Sequence, residues 1–363
     1  MRRRLLALLV VALVPACGSP PPTPVVSTTA SPELGRRAAH TATSLADGSV
    51  LIAGGCDVDG CASATASAVL LTPAGSEATS PLRRARDAHT AVRIGDGRVL
   101  VAGGFTSEGV PPLTTTELYD PKSRSWSSGP ALRQGRGGHA AAALTGGRVL
   151  VAGGWVGSRT YTASTEIVDP QAGQVRVGPD LPEGVDGLAA ATLPDGSVLI
   201  TGGQRRPGTA SDQAVVISPD GGTARLVGRL RQARFKHTMT ALPDGTVLII
   251  GGTSDDVELL DSTEIYHPDT GTFSSGPRLV HGRYKLSEAA TVLPDGRVLV
   301  AGGGPGLEVI DVARGRSSPV TTEQRVASFS TVSLVAGRAW VIGGYDRNIE
   351  LTGLALEIPL AIL

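Results

Sequence analysis

The sequence is short of the features by which several classes of protein are recognised. Its 363 residues include only 3 cysteines, and aromatic residues make up only 3%. The 33 basic and 33 acidic side chains balance to a formal charge of zero, so the chain lacks the basic field that collects nucleic acid through counterion release. Nucleic acid is therefore not an expected partner, and the core has to be built from Val, Leu, Ile and Ala.

No long apolar run is present that could span a bilayer. The apolar segment 5–14 follows Arg2, Arg3 and Arg4 and is much shorter than the roughly 20 residues of a spanning helix. A basic region, a short apolar region and then small residues are the pattern of a secretory signal peptide. We therefore expect residues 1–16 to be removed on export.

The end of this leader has a second pattern. Val14-Pro15-Ala16-Cys17 resembles the lipobox of bacterial lipoproteins, in which cleavage precedes the cysteine and the thiol carries the lipid. The resemblance implies a lipidated Cys17 and an exported, lipid-anchored protein of the bacterial cell envelope, with residues 17–24 as a Pro-rich extended tether. An ordinary cleaved signal peptide with an incidental cysteine is the alternative.

The other two cysteines lie close together. Cys56 and Cys61 are five residues apart, and in an oxidising compartment such a local pair predicts a disulfide that closes a small loop. A zinc site is the alternative, but two thiolates without an adjacent histidine are two ligands short of a tetrahedral shell. We predict no metal site and no cofactor.

What the chain does have is a repeat. Gly-Gly pairs begin at residues 54, 103, 153, 202, 251, 302 and 343, and a turn pair, most often Asp-Gly, lies seven residues before each. Those turn glycines supply the positive φ that a two-residue hairpin loop needs. A period near 50 residues is the length of one propeller blade. The spacing predicts a single domain of seven repeats over residues 25–363.

One repeat can be divided into strands. In the copy that begins at His89, β-prone segments occur at 90–94, 98–102, 115–119 and 125–127, separated by Asp-Gly, Gly-Gly and Asp-Pro signals. Four antiparallel strands make a blade. The sequence therefore predicts an all-β fold, a seven-bladed β-propeller of four-stranded antiparallel blades.

The repeat also carries markers of a known family. Gly-Gly after the second strand, Glu117 and Tyr119 on the third strand and Trp126 on the fourth resemble the kelch repeat, over nearly the whole chain after the leader. The resemblance implies a propeller like the central domain of galactose oxidase. It does not imply one function, because kelch propellers include enzymes, sugar binders and protein-docking modules.

The two ends of the chain are expected to meet in the last blade. Only one further strand, near 349–356, fits after Gly344, so segment 25–34 is predicted to supply the missing outer strand. Such closure pairs edges that would otherwise be exposed. The alternative is that residues 354–363 form the fourth strand themselves.

Candidate ligand-binding residues lie at one face of the predicted ring. We call it face X: it carries the loops between second and third strands and the connections between blades. Near this face, at the start of the first strand of their repeats, are Arg37, Arg86, Arg136 and Arg234, each three residues before a histidine. Lys285 with Glu288 is assigned the same register. One interpretation is a cationic ring that binds acidic groups. The other is structural: each arginine pairs with a third-strand glutamate such as Glu117.

Taken together, these features favour a non-catalytic, monomeric binding module that recognises a protein or a glycan, acidic ones included, through face X. The membrane is contacted only through the lipid, and no catalytic residue is assigned. The alternative is a carbohydrate-active enzyme resembling the kelch sugar mutarotases or epimerases. A copper radical oxidase is disfavoured, because that chemistry needs a cysteine joined to a tyrosine and a converging Tyr/His set.

Overall fold

A computed structural model describes residues 27–28, 34–157, 160–320, 328–346, 348, 350–353 and 355–363. These residues form seven four-stranded antiparallel sheets arranged as blades, with short 3-10 turns as the helical elements. The predicted all-β, seven-bladed propeller is confirmed. The predicted leader, Cys17 and the tether lie outside the described residues, and no helix within the described part has the length and apolarity to cross a membrane.

The strands of each blade follow one another in sequence from the axis outward. From first to fourth they are Thr41–Ser44, Val50–Ala53, Ala68–Thr72 and Gly75–Ala78 in blade 1; Thr90–Arg93, Val99–Ala102, Thr116–Asp120 and Ser125–Ser128 in blade 2; Ala140–Ala143, Val149–Ala152, Thr165–Asp169 and Gln174–Val177 in blade 3; Ala189–Thr192, Val198–Thr201, Gln213–Ile217 and Ala224–Arg229 in blade 4; Thr238–Ala241, Val247–Ile250, Thr263–His267 and Thr272–Ser275 in blade 5; Ala290–Val292, Val298–Val300, Leu307–Asp311 and Arg316–Val320 in blade 6; and Thr331–Val335, Arg338–Ile342, Ala355–Pro359 and Ser27–Thr28 in blade 7.

Smaller elements occur in the loops. Two-stranded hairpins extend from face X in blade 3, Trp155–Gly157 with Thr160–Tyr161, and in blade 4, Gln204–Arg206 with Thr209–Ala210. The 3-10 turns are Asp59–Cys61, Thr145–Gly147 and Leu360–Ile362.

Blade 7 closes the ring with both ends of the chain. Ser27 lies opposite Glu357 and Thr28 opposite Leu356 in an antiparallel ladder, and the first strand of each blade contacts those of both neighbours, blade 7 with blade 1 included. The predicted closure is confirmed, whereas a fourth strand from residues 354–363 is wrong. The third strand begins at Ala355 instead of near residue 349, because the preceding loop first folds back so that Tyr345 bridges Leu351.

The core lies between the blades. Apart from Arg338 at the start of the strand in blade 7, the second strands are buried because each sheet packs against a neighbouring blade on both faces; Val99–Ala102 is buried throughout. Seven apolar clusters of the described residues occupy the seven interfaces between adjacent blades. Burial of these aliphatic side chains at about 25 cal/mol per Å2 is the main force that holds the ring together.

In the described part of the chain, six of the seven Gly-Gly pairs contact the next blade. In blade 2, Gly103 and Gly104 have φ of 62° and 93°, and the amide of Gly104 donates to the carbonyl of Arg136, the start of blade 3, at 2.9 Å. A Cβ on Gly103 would lie 2.4 Å from the same oxygen. Both the positive φ and the close approach therefore require glycine, which explains why the pair recurs.

Removing the N-terminal strand should loosen blade 7. A chain that begins at Leu34 loses the ladder partner of Ala355–Pro359, and we expect its free energy of unfolding to fall by about 1–3 kcal/mol relative to a chain that begins at Pro24. Urea unfolding of the two purified proteins measures the difference. Equal midpoints would show that the two-residue pairing contributes nothing to closure.

Candidate functional site

Three of the predicted ligand-binding arginines are internal. Arg86, Arg136 and Arg234 are fully buried. Each guanidinium donates through Nη2 to a glutamate on the third strand of its own blade, and through Nη1 to the carbonyl of the first glycine of the Gly-Gly pair. The carboxylate distances are 2.7 Å to Glu117, 2.8 Å to Glu166 and 2.8 Å to Glu264.

These contacts agree with the structural interpretation, in which each arginine pairs with a glutamate of the third strand. Burial lowers the pKa of all three arginines, and the paired glutamates oppose that shift. Their Nη1 and Nη2 groups donate to protein acceptors, and Nε of each is buried without a partner among the described atoms. The described structure therefore leaves these guanidinium groups no exposed surface for a ligand. These three arginines are not part of the candidate site at the central cavity.

Arg37 is a variant without a carboxylate. It donates to the carbonyls of Leu34 and Gly54 and to the hydroxyl of Ser67, because blade 1 has Val69 where blades 2, 3, 5 and 6 have glutamate. Burial lowers the pKa of Arg37 to about 10. It too is directed inward.

The register assigned to blade 6 is wrong. The residue equivalent to Arg86 is Arg283, which is fully buried and pairs with Glu308 at 2.7 Å. A two-residue insertion, Ser287-Glu288, forms a turn between Arg283 and the first strand. Counting back from the Asp-Gly turn therefore selected Lys285; counting forward from Leu279, four residues before Arg283, would have found the arginine.

The glutamate partners also hold the connections between blades. Glu117 accepts the backbone amides of Arg83 and Arg84 in the segment that arrives from blade 1. Glu166, Glu264 and Glu308 accept the equivalent pairs of amides in blades 3, 5 and 6. Each carboxylate thus joins its own third strand, its arginine and the incoming chain.

Blade 4 shows that arginine and glutamate are lost together. Val185 replaces the arginine, and Val215 lies where blade 3 has Glu166. Both valines belong to the apolar cluster between blades 3 and 4. An isolated buried charge is costly, whereas an apolar pair of suitable shape is not.

This natural replacement defines a test of the ion pair. Glu166→Val alone leaves Arg136 buried without a carboxylate and should lower the free energy of unfolding by about 3–5 kcal/mol. The double variant Glu166→Val with Arg136→Val copies blade 4 and should recover much of that loss. Urea unfolding of the single and double variants provides the cycle; simple addition of the two losses would contradict the pairing.

The repeated histidines link neighbouring blades. Nε2 of His40, His89, His139 and His237 is hydrogen-bonded at 2.8–3.1 Å to a threonine hydroxyl of the preceding blade. Burial, followed by a nearby arginine, lowers the pKa of His40, His139 and His237 to about 3, and that of His89 well below its usual value. These imidazoles are neutral at physiological pH.

Stability should therefore fall in acid. A histidine whose folded pKa lies below its unfolded value of 6.5 stabilises fully above pH 6.5, and this contribution is lost as the pH falls towards 3. Between those two pH values, each such histidine adds about 1.4 kcal/mol per pH unit to the slope of the free energy of unfolding against pH. His139→Gln should reduce the slope measured by urea unfolding between pH 4 and 6 by that amount; an unchanged slope would contradict a neutral, buried His139.

A ring of residues in the left-handed conformation surrounds the axis at face X. We call it the collar. Each member directly precedes the histidine position of its blade and has φ between 45° and 61°. The collar consists of Ala39, Ala88, Gly138, Gly187, Lys236, Lys285 and Phe329.

Backbone hydrogen bonds join the collar from blade to blade. The amide of Ala88 donates to Ala39, that of Gly138 to Ala88, and that of Lys236 to Gly187, at 2.8–3.2 Å. These bonds compensate for backbone strain at the non-glycine positions. Side-chain patterns in the sequence do not reveal the collar, because its members share no side-chain type; the signal is their position before each histidine.

The collar opens into a central cavity of about 500 Å3, lined by the first strands of all seven blades. Collar side chains are absent or single methyl groups in blades 1 to 4 and large in blades 5 to 7. The mouth is consequently open on one side and bordered by Lys236, Lys285 and Phe329 on the other. Of the six predicted ligand-binding residues, only Lys285 and Glu288 line this cavity.

The charged groups of the cavity differ in their partners. Lys236 pairs with Asp256 at 2.7 Å, and Glu288 of blade 6 reaches past blade 7 to accept the amide of Ala42 in blade 1 at 2.6 Å. Burial raises the pKa of Glu288 to about 7 and that of Asp186 to about 6. Asp186 Oδ1 is buried without a hydrogen-bond partner among the described atoms.

The scarce aromatic residues gather on face X. Seven of the twelve in the chain lie in its loops and at the mouth of the cavity: Phe105, Trp155, Tyr161, Phe235, Tyr284, Phe329 and Tyr345. Phe105 and Trp155, both half-buried, form a tilted pair with ring centroids 5.1 Å apart. They follow the Gly-Gly pairs of blades 2 and 3, which belong to the open side of the mouth.

The cysteine loop joins blade 1 to the closing blade. Cys56 and Cys61 form a disulfide. Asp59, inside their loop, accepts a hydrogen bond from the amide of Leu351 at 2.7 Å and forms an ion pair with Arg36 at 2.8 Å. The loop therefore holds the second-to-third loop of blade 7 in place beside Tyr345.

Sequence and structure comparisons identify the repeat and the fold. Segments 88–133 and 136–182 match the family described as Kelch motif, and with the seven blades they fit a kelch-repeat propeller. No curated protein sequence matches the chain.

Two solved structures show the likeness in three dimensions. One is a fungal alcohol oxidase of the AA5 family in complex with copper, with a TM-score of 0.69 and 18% identity over 89% of this chain and 74% of that one. The other is YjhT, with a TM-score of 0.61 and 15% identity over 82% of this chain and all of the other. At such identities the likeness shows the fold alone.

The residues of this chain do not fit a copper centre of that kind. Within the described ranges, no three His, Cys, Asp or Glu side chains converge as metal ligands. The histidines nearest the cavity are spread over four blades with threonine partners, and Cys56 and Cys61 are joined to each other. We derive no step through copper.

Proposed function

We propose that this protein is a non-catalytic glycan-binding module and that the ligand enters the central cavity through the open side of the collar. The observation that carries the proposal is the Phe105–Trp155 pair beside that opening. Aromatic rings combine apolar area with defined geometry, and small-ligand sites are concave, with aromatic walls and a few polar groups. A cavity of about 500 Å3 lies within the size range of such sites.

A glycan is favoured over a protein ligand by the shape of the face. The large exposed apolar side chains in the loops of face X are Val58, Val110, Val257, Leu259 and Val280. They are distributed over the loops of several blades, whereas protein interfaces use a contiguous patch. The polar groups are instead collected around the cavity, where hydroxyl groups of a sugar can meet them.

The signal-like leader and Cys17 support the proposal that this binding takes place at the bacterial cell envelope. A lipid on Cys17 with the following Pro-rich segment would hold the propeller away from the membrane, at the bacterial cell envelope, as a monomer. Ligand binding through the mouth then requires no contact between the blades and the bilayer.

Replacing one ring of the Phe105–Trp155 pair should weaken binding without unfolding the protein. In a glycan array followed by titration calorimetry, we expect Trp155→Ala to weaken binding about tenfold or more, equivalent to 1.4 kcal/mol. Leu226→Ala is the matched control, because Leu226 is exposed on the outer strand of blade 4, away from face X. Thermal unfolding checks that both variants fold. Equal binding by Trp155→Ala and the control would contradict the proposal.

The enzymatic alternative has one observation in its favour. Glu288 and Asp186 line the same cavity, and burial raises the pKa of each towards neutrality, where a carboxyl group can act as a general acid or base. A sugar mutarotase or epimerase would use such groups. Conversion of a bound sugar that Glu288→Gln abolishes would replace the binding proposal with this one.

A further inference from the structure

Two lysines occupy equivalent places in the collar but have different partners. Lys236 and Lys285 both have left-handed backbones, with φ of 53° and 56°, and both line the cavity. Lys236 Nζ is neutralised by Asp256 at 2.7 Å. Lys285 Nζ donates at 2.7 Å to the phenol oxygen of Tyr345, which is neutral. Among the described residues no carboxylate is within ion-pair distance of Lys285.

Aromatic rings hold the Lys285 ammonium in this position. Its Nζ lies 5.1 Å from the ring centroid of Tyr284, 5.5 Å from that of Phe329 and 5.0 Å from that of Tyr345. Cation–π contacts of this kind stabilise a cation without neutralising it. An ammonium has three donors, and Tyr345 accepts one of them, so the group can still donate towards the cavity.

The other charged groups of the cavity lining leave this cation uncompensated. Glu288 is hydrogen-bonded to the amide of Ala42 in blade 1, and Asp256 is paired with Lys236. Asp186 is the remaining charged group, with Oδ1 buried and without a partner among the described atoms. The cavity therefore presents one uncompensated cation, on blade 6, and one free carboxylate acceptor, on blade 4.

We propose that the ligand is an acidic glycan whose carboxylate binds Lys285 Nζ, with a sugar hydroxyl donating to Asp186. This inference rests on the proposed glycan-binding function. A charge-assisted bond from the ammonium to a carboxylate supplies the missing counter-charge, and a neutral sugar cannot. A sugar hydroxyl would donate a hydrogen bond to the unpaired oxygen of Asp186, which otherwise stays desolvated without a partner.

The test uses ligands that differ only in charge. Oligomers of galacturonate, mannuronate and glucuronate are titrated into the full-length protein beside their methyl esters, by calorimetry at physiological ionic strength. We expect at least one acid to bind tenfold or more tightly than its ester. Lys285→Met retains an unbranched chain in the aromatic box and removes the charge, so it should abolish that preference.

Two variants act as controls for charge. Lys285→Arg keeps a cation at the site and should retain part of the preference. Lys236→Met removes the same charge from the equivalent collar position, where Asp256 already neutralises it, and should change the preference less than threefold. Thermal unfolding verifies that each variant is folded.

Each other outcome overturns a defined part of the argument. Equal affinity for acids and esters would overturn the acidic ligand while leaving glycan binding intact. A preference that survives in Lys285→Met, or is lost equally in Lys236→Met, would overturn the assignment to Lys285. Binding to neutral glycans of an array, with no binding of any acid, would overturn the inference alone. No binding to any glycan would overturn both it and the proposed function.

Discussion

The propeller depends on the joint at which one blade meets the next. In blade 2, the carbonyl of Arg86 accepts the amide of Gly55 in blade 1, while its guanidinium binds Glu117 and the carbonyl of Gly103. His89, three residues on, reaches back to Thr41 of blade 1. One short segment therefore fixes a blade internally and attaches it to its neighbour, which is why its residues recur with the blade period.

This joint separates the structural charges from those available to a ligand. The arginines and histidines of the repeat are buried inside the ring, where they bond to neighbouring strands and blades instead of a ligand. Side chains that depart from the repeat do not take part in this joint. Asp186, Lys285 and Glu288 are of this kind, and all three line the cavity. The site is built where the repeat is broken.

Asymmetry at the mouth follows from the collar. Seven equivalent backbone positions surround the axis, but their side chains are small on four consecutive blades and large on three. A symmetric scaffold thereby acquires an entrance on one side and a charged, aromatic wall on the other. The same propeller architecture occurs in an alcohol oxidase and in YjhT. Because a fold by itself does not specify a function, the function is sought in such departures and not in the blades.

The sequence by itself left two alternatives for the strand that closes the ring, but it determined the number of blades, their four strands and the face that carries the long loops. Those features follow from local rules, since positive φ at Asp-Gly and Gly-Gly and the alternation of turns and apolar strands need no distant contact. Only the tertiary structure decided which ionisable side chains are free. Arg86 and Lys285 have the same spacing from the Asp-Gly turn of their repeats, yet Arg86 is buried in an ion pair with Glu117 and Lys285 lines the cavity. That difference depends on a two-residue insertion in blade 6 and on partners far along the chain, and spacing alone cannot reveal either burial or the identity of a partner.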